Sequence, residues 1–486
     1  MLNYLKKENE ITYTENGALT YNTTQSFCLD LFFRAGAMRN ASEYEIADAV
    51  VRAYTENPVK TMKIVFFARD ARGGLGERRF FRVAVKTLAQ LDSSAVNRNI
   101  PLIAEYGRFD DLCTLLDTPC EKTAVAEIRR QLSEDIEAYK NSGKVSLLAK
   151  WLPSVNASSA KTIASGRKIA KLMGMSEREY RQTLSELRRY TDIIENRLRV
   201  CDYTFDYEKQ PSCAMMKYRN AFIRNDGIRY KEYLNAVNRG EAKLNASTLY
   251  PYEIVRRCLD GNLTAEERLS LDTTWKSLPD FASSNENAIA VVDGSASMTC
   301  GMGVRPIDAA LSLGIYFAEH NKGRFANHFI TFSKNPQLVE IKGRDITEKV
   351  RFCETFDEVA NTDLEAVFEL ILRTAVKNKV SPDELPARLY IISDMEFDYC
   401  VEGGNNFTIF EAMKRKYSRM GYRLPEVIFW NVNSRQKNMP VQRSETGAAL
   451  VSGFSPALFD MVMEGDISPE IIMESIINSE RYAKVS

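Results

Sequence analysis

Asp293, Ser295 and Ser297 stand at alternate positions directly after the apolar run Ile289-Ala-Val-Val292. One carboxylate and two hydroxyls at that spacing aim oxygen atoms at a single point. Oxygen-only donors suit Mg²⁺, Mn²⁺ or Ca²⁺ rather than zinc. Two further segments offer the same chemistry. Asn361-Thr362-Asp363 precedes an amphipathic helix carrying Leu364, Val367, Phe368, Ile371 and Leu372, which leaves Thr362 on the loop with a free hydroxyl. Arg388-Leu-Tyr-Ile-Ile-Ser-Asp394 is a second apolar run ending in an acid. The expected metal ligands are therefore Asp293, Ser295, Ser297, Thr362 and Asp394. The same residue types also suit a turn that holds no ion, because Asp and Ser cap helices and favour turns.

These residues need elements that bring three loops together. Ile289 to Val292 and Leu389 to Ile392 are apolar without alternation, as strands buried on both faces are. Their polar ends fall at the carboxyl rim, where open α/β sheets bind ligands. Strands and helices alternate through residues 283–486. Helices are predicted at Pro306–His320, after Thr362, at Ile409–Met420, Pro456–Met463 and Pro469–Ser479. Strands are predicted at Asn327–Phe332, Leu338–Ile341, Glu426–Asn431 and Ala449–Ser452. That alternation predicts a mostly parallel sheet with helices on both faces.

Residues 26–282 have a different pattern. Their apolar clusters keep helical spacing, as in Ile46, Ala47, Val50, Val51 and Tyr54, or Phe80, Phe81, Val83, Ala84 and Leu88. Short loops with Gly, Asp or Pro divide them, at Asn57-Pro58 and Leu152-Pro-Ser-Val-Asn156 among others. Serial helix pairs without a strong residue-level repeat predict an α-solenoid or ring of HEAT type. The fold class is thus α plus α/β. Residues 1–25 mix polar and β-branched types, which fits either an arm or a small hairpin.

Composition narrows the chemistry. The 486 residues include 65 Lys and Arg against 65 Asp and Glu, so any preference for nucleic acid must be local. No uncharged apolar run approaches the roughly 20 residues of a membrane span. Nine scattered cysteines without a Cys-x-x-Cys pair fit reduced thiols and a cytoplasmic protein. Only His320 and His328 are present, so zinc catalysis and Ser-His-Asp chemistry lack parts.

The three loops together resemble the metal-ion-dependent adhesion site of von Willebrand factor A domains. In that family the serines and threonine touch the metal, the aspartates act largely through water, and one position stays open for a partner's acid. A helical-repeat half followed by such a domain resembles the TROVE proteins, the Ro ribonucleoprotein autoantigens and their bacterial relatives. Local phrases are more similar to an uncharacterised family with this layout found in bacteria, phages and eukaryotes. Those phrases are Phe67-Ala-Arg-Asp-Ala-Arg-Gly-Gly-Leu-Gly-Glu-Arg78, Leu148-Ala-Lys-Trp-Leu-Pro-Ser154, Met216-Lys-Tyr-Arg219, Pro251-Tyr-Glu-Ile-Val255 and Ile392-Ser-Asp-Met-Glu-Phe397. The resemblance implies a non-enzymatic scaffold that binds structured or single-stranded RNA on its helices and a partner's Asp or Glu at the metal; the chain is expected to act as a monomer.

Charge distribution gives RNA binding some independent support. Residues 161–199 carry ten Lys or Arg against five acids, whereas residues 455–480 carry six acids and no base. Candidate RNA contacts are Arg72, Arg78, Arg79, Lys150, Lys161, Arg167, Lys168, Lys171, Lys217 and Arg219. Tyr180, Tyr190, Tyr218 and Tyr230 are placed to stack on bases. The same cations would equally serve as one solvated face paired with nearby acids. Arg72-Gly-Gly-Leu-Gly-Glu-Arg78 lacks the Gly-Lys-Ser/Thr of a phosphate loop and reads as a helix-to-helix turn. Two other functions stand beside the scaffold: a protein-interaction or chaperone-associated adaptor without RNA, and a metal-dependent phosphohydrolase. The last is disfavoured, since hydrolytic sites gather more direct carboxylates than this sequence offers.

Overall fold

The chain opens with a short antiparallel hairpin, Ile11–Tyr13 (β1) paired with Leu19–Tyr21 (β2). This computed structural model describes residues 10–282, 286–299, 303–333, 335–356, 363–399, 407–462 and 467–486. From Phe27–Ala35 to Ala265–Lys276 every regular element is a helix. Local sequence sets many of their boundaries. Ser42 caps Glu43–Glu56 in a reciprocal box with Glu45. Asn57 ends that helix and caps the next, which starts on Pro58. Successive helices pack on one another, as Pro58–Arg69 does on Arg78–Leu91 and Ser212–Asn225 on Gly227–Asn238.

Ala288–Asp293 (β3), His328–Phe332 (β4), Leu338–Glu340 (β5), Arg388–Ser393 (β6), Glu426–Asn431 (β7) and Ala448–Ser452 (β8) form one sheet in the order β5-β4-β3-β6-β7-β8. All pairings are parallel except β4 with the edge strand β5. After β3 the chain builds outward to β4, and after β6 it builds the other way. The strand order therefore reverses between β3 and β6, at a crevice where the carboxyl ends of parallel strands bind ligands.

Alternate residues of these strands enter two cores. Ala290, Val292, Ile392, Trp430 and Val451 join the core of the helical half and the helix Pro306–His320. Ile289, Val291, Ile391 and Phe429 pack against Val367, Phe368, Met413 and Tyr417 of the helices Leu364–Asn378 and Ile409–Arg419. Apolar side chains thus run from the helical half into one face of the sheet without a break. The predicted strands and helices of this half form with small shifts at their ends. Two helices, Ile346–Glu354 and the one-turn Ala296–Thr299, lie where none is predicted from the sequence. Among the described residues no helix is long and apolar enough to cross a membrane.

Gly314 sets the distance between Pro306–His320 and β3. A Cβ added there would lie 2.4 Å from Cγ2 of Val292, one residue before Asp293. A larger residue must push the helix off the strand that carries the site. Gly314→Val is expected to lower unfolding free energy by about 1–3 kcal/mol, measured by denaturant titration; an unchanged midpoint would show that the helix and strand are not in register as described.

Candidate cation site and basic cleft

Asp293 closes β3 and is fully buried, and both its carboxylate oxygens are held. Oδ1 accepts the Ser295 amide at 2.9 Å, and Oδ2 accepts the Ser393 hydroxyl at 2.6 Å. The first bond folds the loop back over the strand end. It brings the Ser295 and Ser297 hydroxyls within 3.0 Å of each other, with Ser297 inside the one-turn helix Ala296–Thr299. Asp394 follows β6 on the other side of the crevice. Its Oδ1 accepts the Glu396 amide at 3.3 Å. Its Oδ2 is buried and accepts no hydrogen bond among the described residues. The structure thus brings Asp293, Ser295, Ser297 and Asp394 together, while Thr362 lies outside the described residues.

Electrostatics at this point are unfavourable. Burial, and then the neighbouring Asp394 carboxylate, push Asp293 up to about 7, against the opposing hydrogen bonds from Ser393 and Ser295. Burial also raises Asp394, opposed by the Ser297 hydroxyl, the Glu396 amide and Arg435. Two acids buried in one crevice favour the uptake of positive charge, as protons or as a cation. An orphaned buried carboxylate oxygen beside two hydroxyls and a second carboxylate fits a hard divalent ion.

Two residues of this neighbourhood carry no motif. Ser393 joins the strand ends through its bond to Asp293 and also accepts the Met395 amide at 3.1 Å. Arg435, in the loop after β7, places Nη1 3.7 Å from Asp394 Oδ2. Ser393 had a sequence signal, a hydroxyl one place before a strand-end acid. Arg435 had none, since it comes near only through tertiary folding.

The basic residues of the helical half divide by environment. Arg167 pairs with Glu177, Lys168 with Asp117 and Glu121, and Lys150 with Glu195. Arg72 donates to the Glu105 carbonyl, Lys171 is exposed, and Lys217 lies over the Tyr218 ring. Arg219 does not reach the surface. It is 7% exposed, and its Nη1 donates to the Met216 carbonyl at 3.1 Å. Tyr180 and Tyr230 are core residues too, at 0% and 2% exposure, so they cannot stack on a base; helical amphipathicity puts both on the inward face. Tyr190 and Tyr218 keep exposed area.

A cleft of about 820 Å³ collects the rest. Arg78, Arg79, Arg82, Lys86 and Lys161 line it, with Glu43, Asp110 and Asp117. Asp110 is already engaged by Arg82 and Arg108, and Asp117 by Lys168. Arg79 donates to the Arg39 and Ala41 carbonyls. Arg78, Lys86 and Lys161 have no acid within ion-pair distance among the described residues. Arg108, the partner of Asp110 in this cleft, has its guanidinium 3.8 Å from the centroid of the Trp151 ring.

Two family profiles cover the described architecture. One, "Domain of unknown function (DUF2828)", matches residues 14–130 and 123–285, and a second, "Domain of unknown function (DUF7788)", matches residues 287–484. The chain belongs to the DUF2828 family. It is 30% identical over 525 aligned positions to "Uncharacterized protein L728" of Acanthamoeba polyphaga mimivirus, covering 97% of this chain and 89% of that one. Among solved structures it is similar to the Ro (RSR) protein of Deinococcus radiodurans, with 12% identity, a TM-score of 0.37 and 93% of each chain covered.

Within the DUF2828 region, the Gly-rich loop 72–76 connects the helices Pro58–Arg69 and Arg78–Leu91 and seats the C-terminal tail. Asp70 accepts Arg481 Nη2 at 2.7 Å and the Tyr482 hydroxyl at 3.0 Å, and that hydroxyl also lies 3.0 Å from the Gly73 carbonyl. A Cβ on Gly73 would lie 2.6 Å from Arg481 Nε, and one on Gly76, at φ +67°, 2.1 Å from the Tyr250 hydroxyl. These glycines admit neighbouring side chains. The loop holds the tail of its own chain.

Burial of Asp293 has a pH consequence. Its folded pKa of about 7 lies above the unfolded value of 3.8, so the folded state retains a proton that the unfolded state releases between those pH values. This group's contribution therefore falls as pH rises from about 4 to 7. Asp293→Asn is expected to stabilise the chelator-treated protein at pH 8 by about 2–4 kcal/mol and to flatten that decline. Equal stabilities of the two proteins at pH 8 would count against the buried pair.

Proposed function

We propose that this DUF2828 protein is a non-enzymatic scaffold. Its C-terminal half, read as a von Willebrand factor A-type domain with a metal-ion-dependent adhesion site, takes a divalent cation, Mg²⁺ in the first place. The helical half, read as a HEAT-like array, holds RNA. The observation that carries the proposal is the buried Oδ2 of Asp394, which accepts no hydrogen bond among the described residues, set beside Asp293, Ser295 and Ser297 at the reversal of strand order. Such an oxygen costs stability unless a proton or a cation answers it.

Each residue has a place in this reading. Ser295 and Ser297 present hydroxyls to the ion, and Thr362 is assigned the third. Asp293 and Asp394 supply negative charge, with Ser393 holding the first in place. The bound ion would supply a Lewis-acidic position able to accept an Asp or Glu of a protein partner. The donor set favours holding an ion over hydrolysis. Half of the four described donors are hydroxyls, and both histidines are turned to backbone carbonyls elsewhere, His320 to Tyr316 and His328 to Ala326.

RNA enters through the cleft. Arg78, Lys86 and Lys161 line it with no acid within ion-pair distance among the described residues, and Trp151, stacked under the Arg108 that pairs with Asp110, is the candidate stacking surface for single-stranded bases. The extensive internal pairing of Arg167, Lys168 and Lys150 favours the second reading, a cytoplasmic adaptor that binds only protein.

Two measurements test these assignments. Millimolar Mg²⁺ is expected to raise the melting temperature of the parent protein and leave Asp293→Ala unchanged, and a flat response of the parent removes the cation site. The parent is expected to bind a labelled single-stranded RNA with an affinity that falls steeply with salt. Arg78→Glu with Lys161→Glu should weaken that binding by about tenfold or more. RNA binding that ignores both changes sends the RNA elsewhere, and no binding leaves the adaptor.

A further inference from the structure

The turn of the N-terminal hairpin sits on the loop that leaves Asp394. Glu15 N–H donates to Glu396 Oε2 at 2.8 Å, and Asn16 Nδ2 donates to the Glu396 carbonyl at 2.7 Å. Tyr399 N–H returns a bond to the Asn16 carbonyl at 3.2 Å. On the same rim, Arg435 Nη2 lies 2.6 Å from Glu15 Oε2 while Nη1 lies 3.7 Å from Asp394 Oδ2. Gln436 Nε2 holds the other Glu15 oxygen at 3.1 Å. One acid from the first residues of the chain thus fixes a guanidinium beside the orphaned oxygen of the candidate site. Arg435 keeps 37% of its side chain exposed, so it meets solvent and anything that arrives from it.

We propose that Arg435, positioned by Glu15, is the specificity-determining residue of the cation site, one that favours a cation accompanied by a carboxylate over a cation alone. The inference rests on the cation reading above. Any cation that draws on Asp394 Oδ2 shares that oxygen with a guanidinium 3.7 Å away and is repelled by it. At the partly screened rim of a protein this repulsion weakens a divalent ion on the order of tenfold. A carboxylate arriving at the ion is attracted by both positive charges and relieves their repulsion. Cation and carboxylate therefore bind with positive coupling, and by linkage each strengthens the other equally. Glu15 offsets part of the guanidinium charge and holds it at the rim, where it touches the incoming ligand without entering the crevice.

The experiment is calorimetric titration of the full chain with Mg²⁺, with and without a millimolar acidic peptide, N-acetyl-Gly-Glu-Gly-amide. In Arg435→Gln, Mg²⁺ alone is expected to bind about tenfold tighter than in the parent, whereas Arg435→Lys stays near the parent. Glu15→Gln exposes the full guanidinium charge and is expected to weaken Mg²⁺ by a few-fold. The peptide tightens Mg²⁺ binding in the parent and loses most of that effect in Arg435→Gln. A parent that binds Mg²⁺ alongside an Arg435→Gln variant of equal or weaker affinity overturns the assignment, as does a peptide effect of equal size in both. A parent that does not bind Mg²⁺ overturns the cation reading and this inference together. A merely structural Arg435 would not move the two charge-removing variants in opposite directions.

Discussion

Two carboxylates buried across one crevice govern this structure. Asp293 ends β3 and Asp394 follows β6, the pair of strands between which the sheet reverses its building direction. Both are buried, and burial together with the Asp394 carboxylate raises the cost of ionising Asp293. A folded chain keeps such a pair only if protons or a cation neutralise it, and the proposed cation draws on the surrounding hydrogen-bonded groups. Asp293 is fully hydrogen-bonded, the two serine hydroxyls converge, and one oxygen of Asp394 accepts no hydrogen bond among the described residues.

The rest of the molecule keeps that crevice in shape from both ends of the sequence. The hairpin β1–β2 bonds to the loop after β6 and, through Tyr21 and Met439, to the loop after β7. The last residues cross back to the helical half, where Asp70 receives Arg481 and Tyr482. One face of the sheet shares its core with the helices. Strain applied at the helices therefore reaches the strands that carry Asp293 and Asp394 through packed side chains, which transmit displacement because they have little free volume.

Much of this was legible in the sequence, for local reasons. The strands β3, β6 and β7 announce themselves as apolar runs that only a doubly covered sheet can bury, and the helical half shows its period throughout. The helix Ile346–Glu354 was missed although its signals are present: Asp345 caps it, and Ile346, Val350 and Cys353 share its buried face. The hairpin could not be told from an arm because much of what stabilises it lies some 380 to 420 residues away, at Phe397 and Met439. Composition likewise cannot separate an exposed arginine from a buried one, which is why Arg219 looked like a surface contact, and the glycines of 72–76 seat the tail of their own chain. The crevice itself was readable as a set of residue types, Asp293, Ser295, Ser297 and Asp394, whereas Arg435 reaches it only through the folded chain.

The cation claim is most directly tested by anomalous diffraction from crystals equilibrated with Mn²⁺. The account predicts a single strong peak within bonding distance of the Ser295 and Ser297 hydroxyls, beside Asp394 Oδ2, with at least one coordination position facing solvent. Crystals that show no peak there, with Asp293 and Asp394 instead joined by a shared proton, would contradict it.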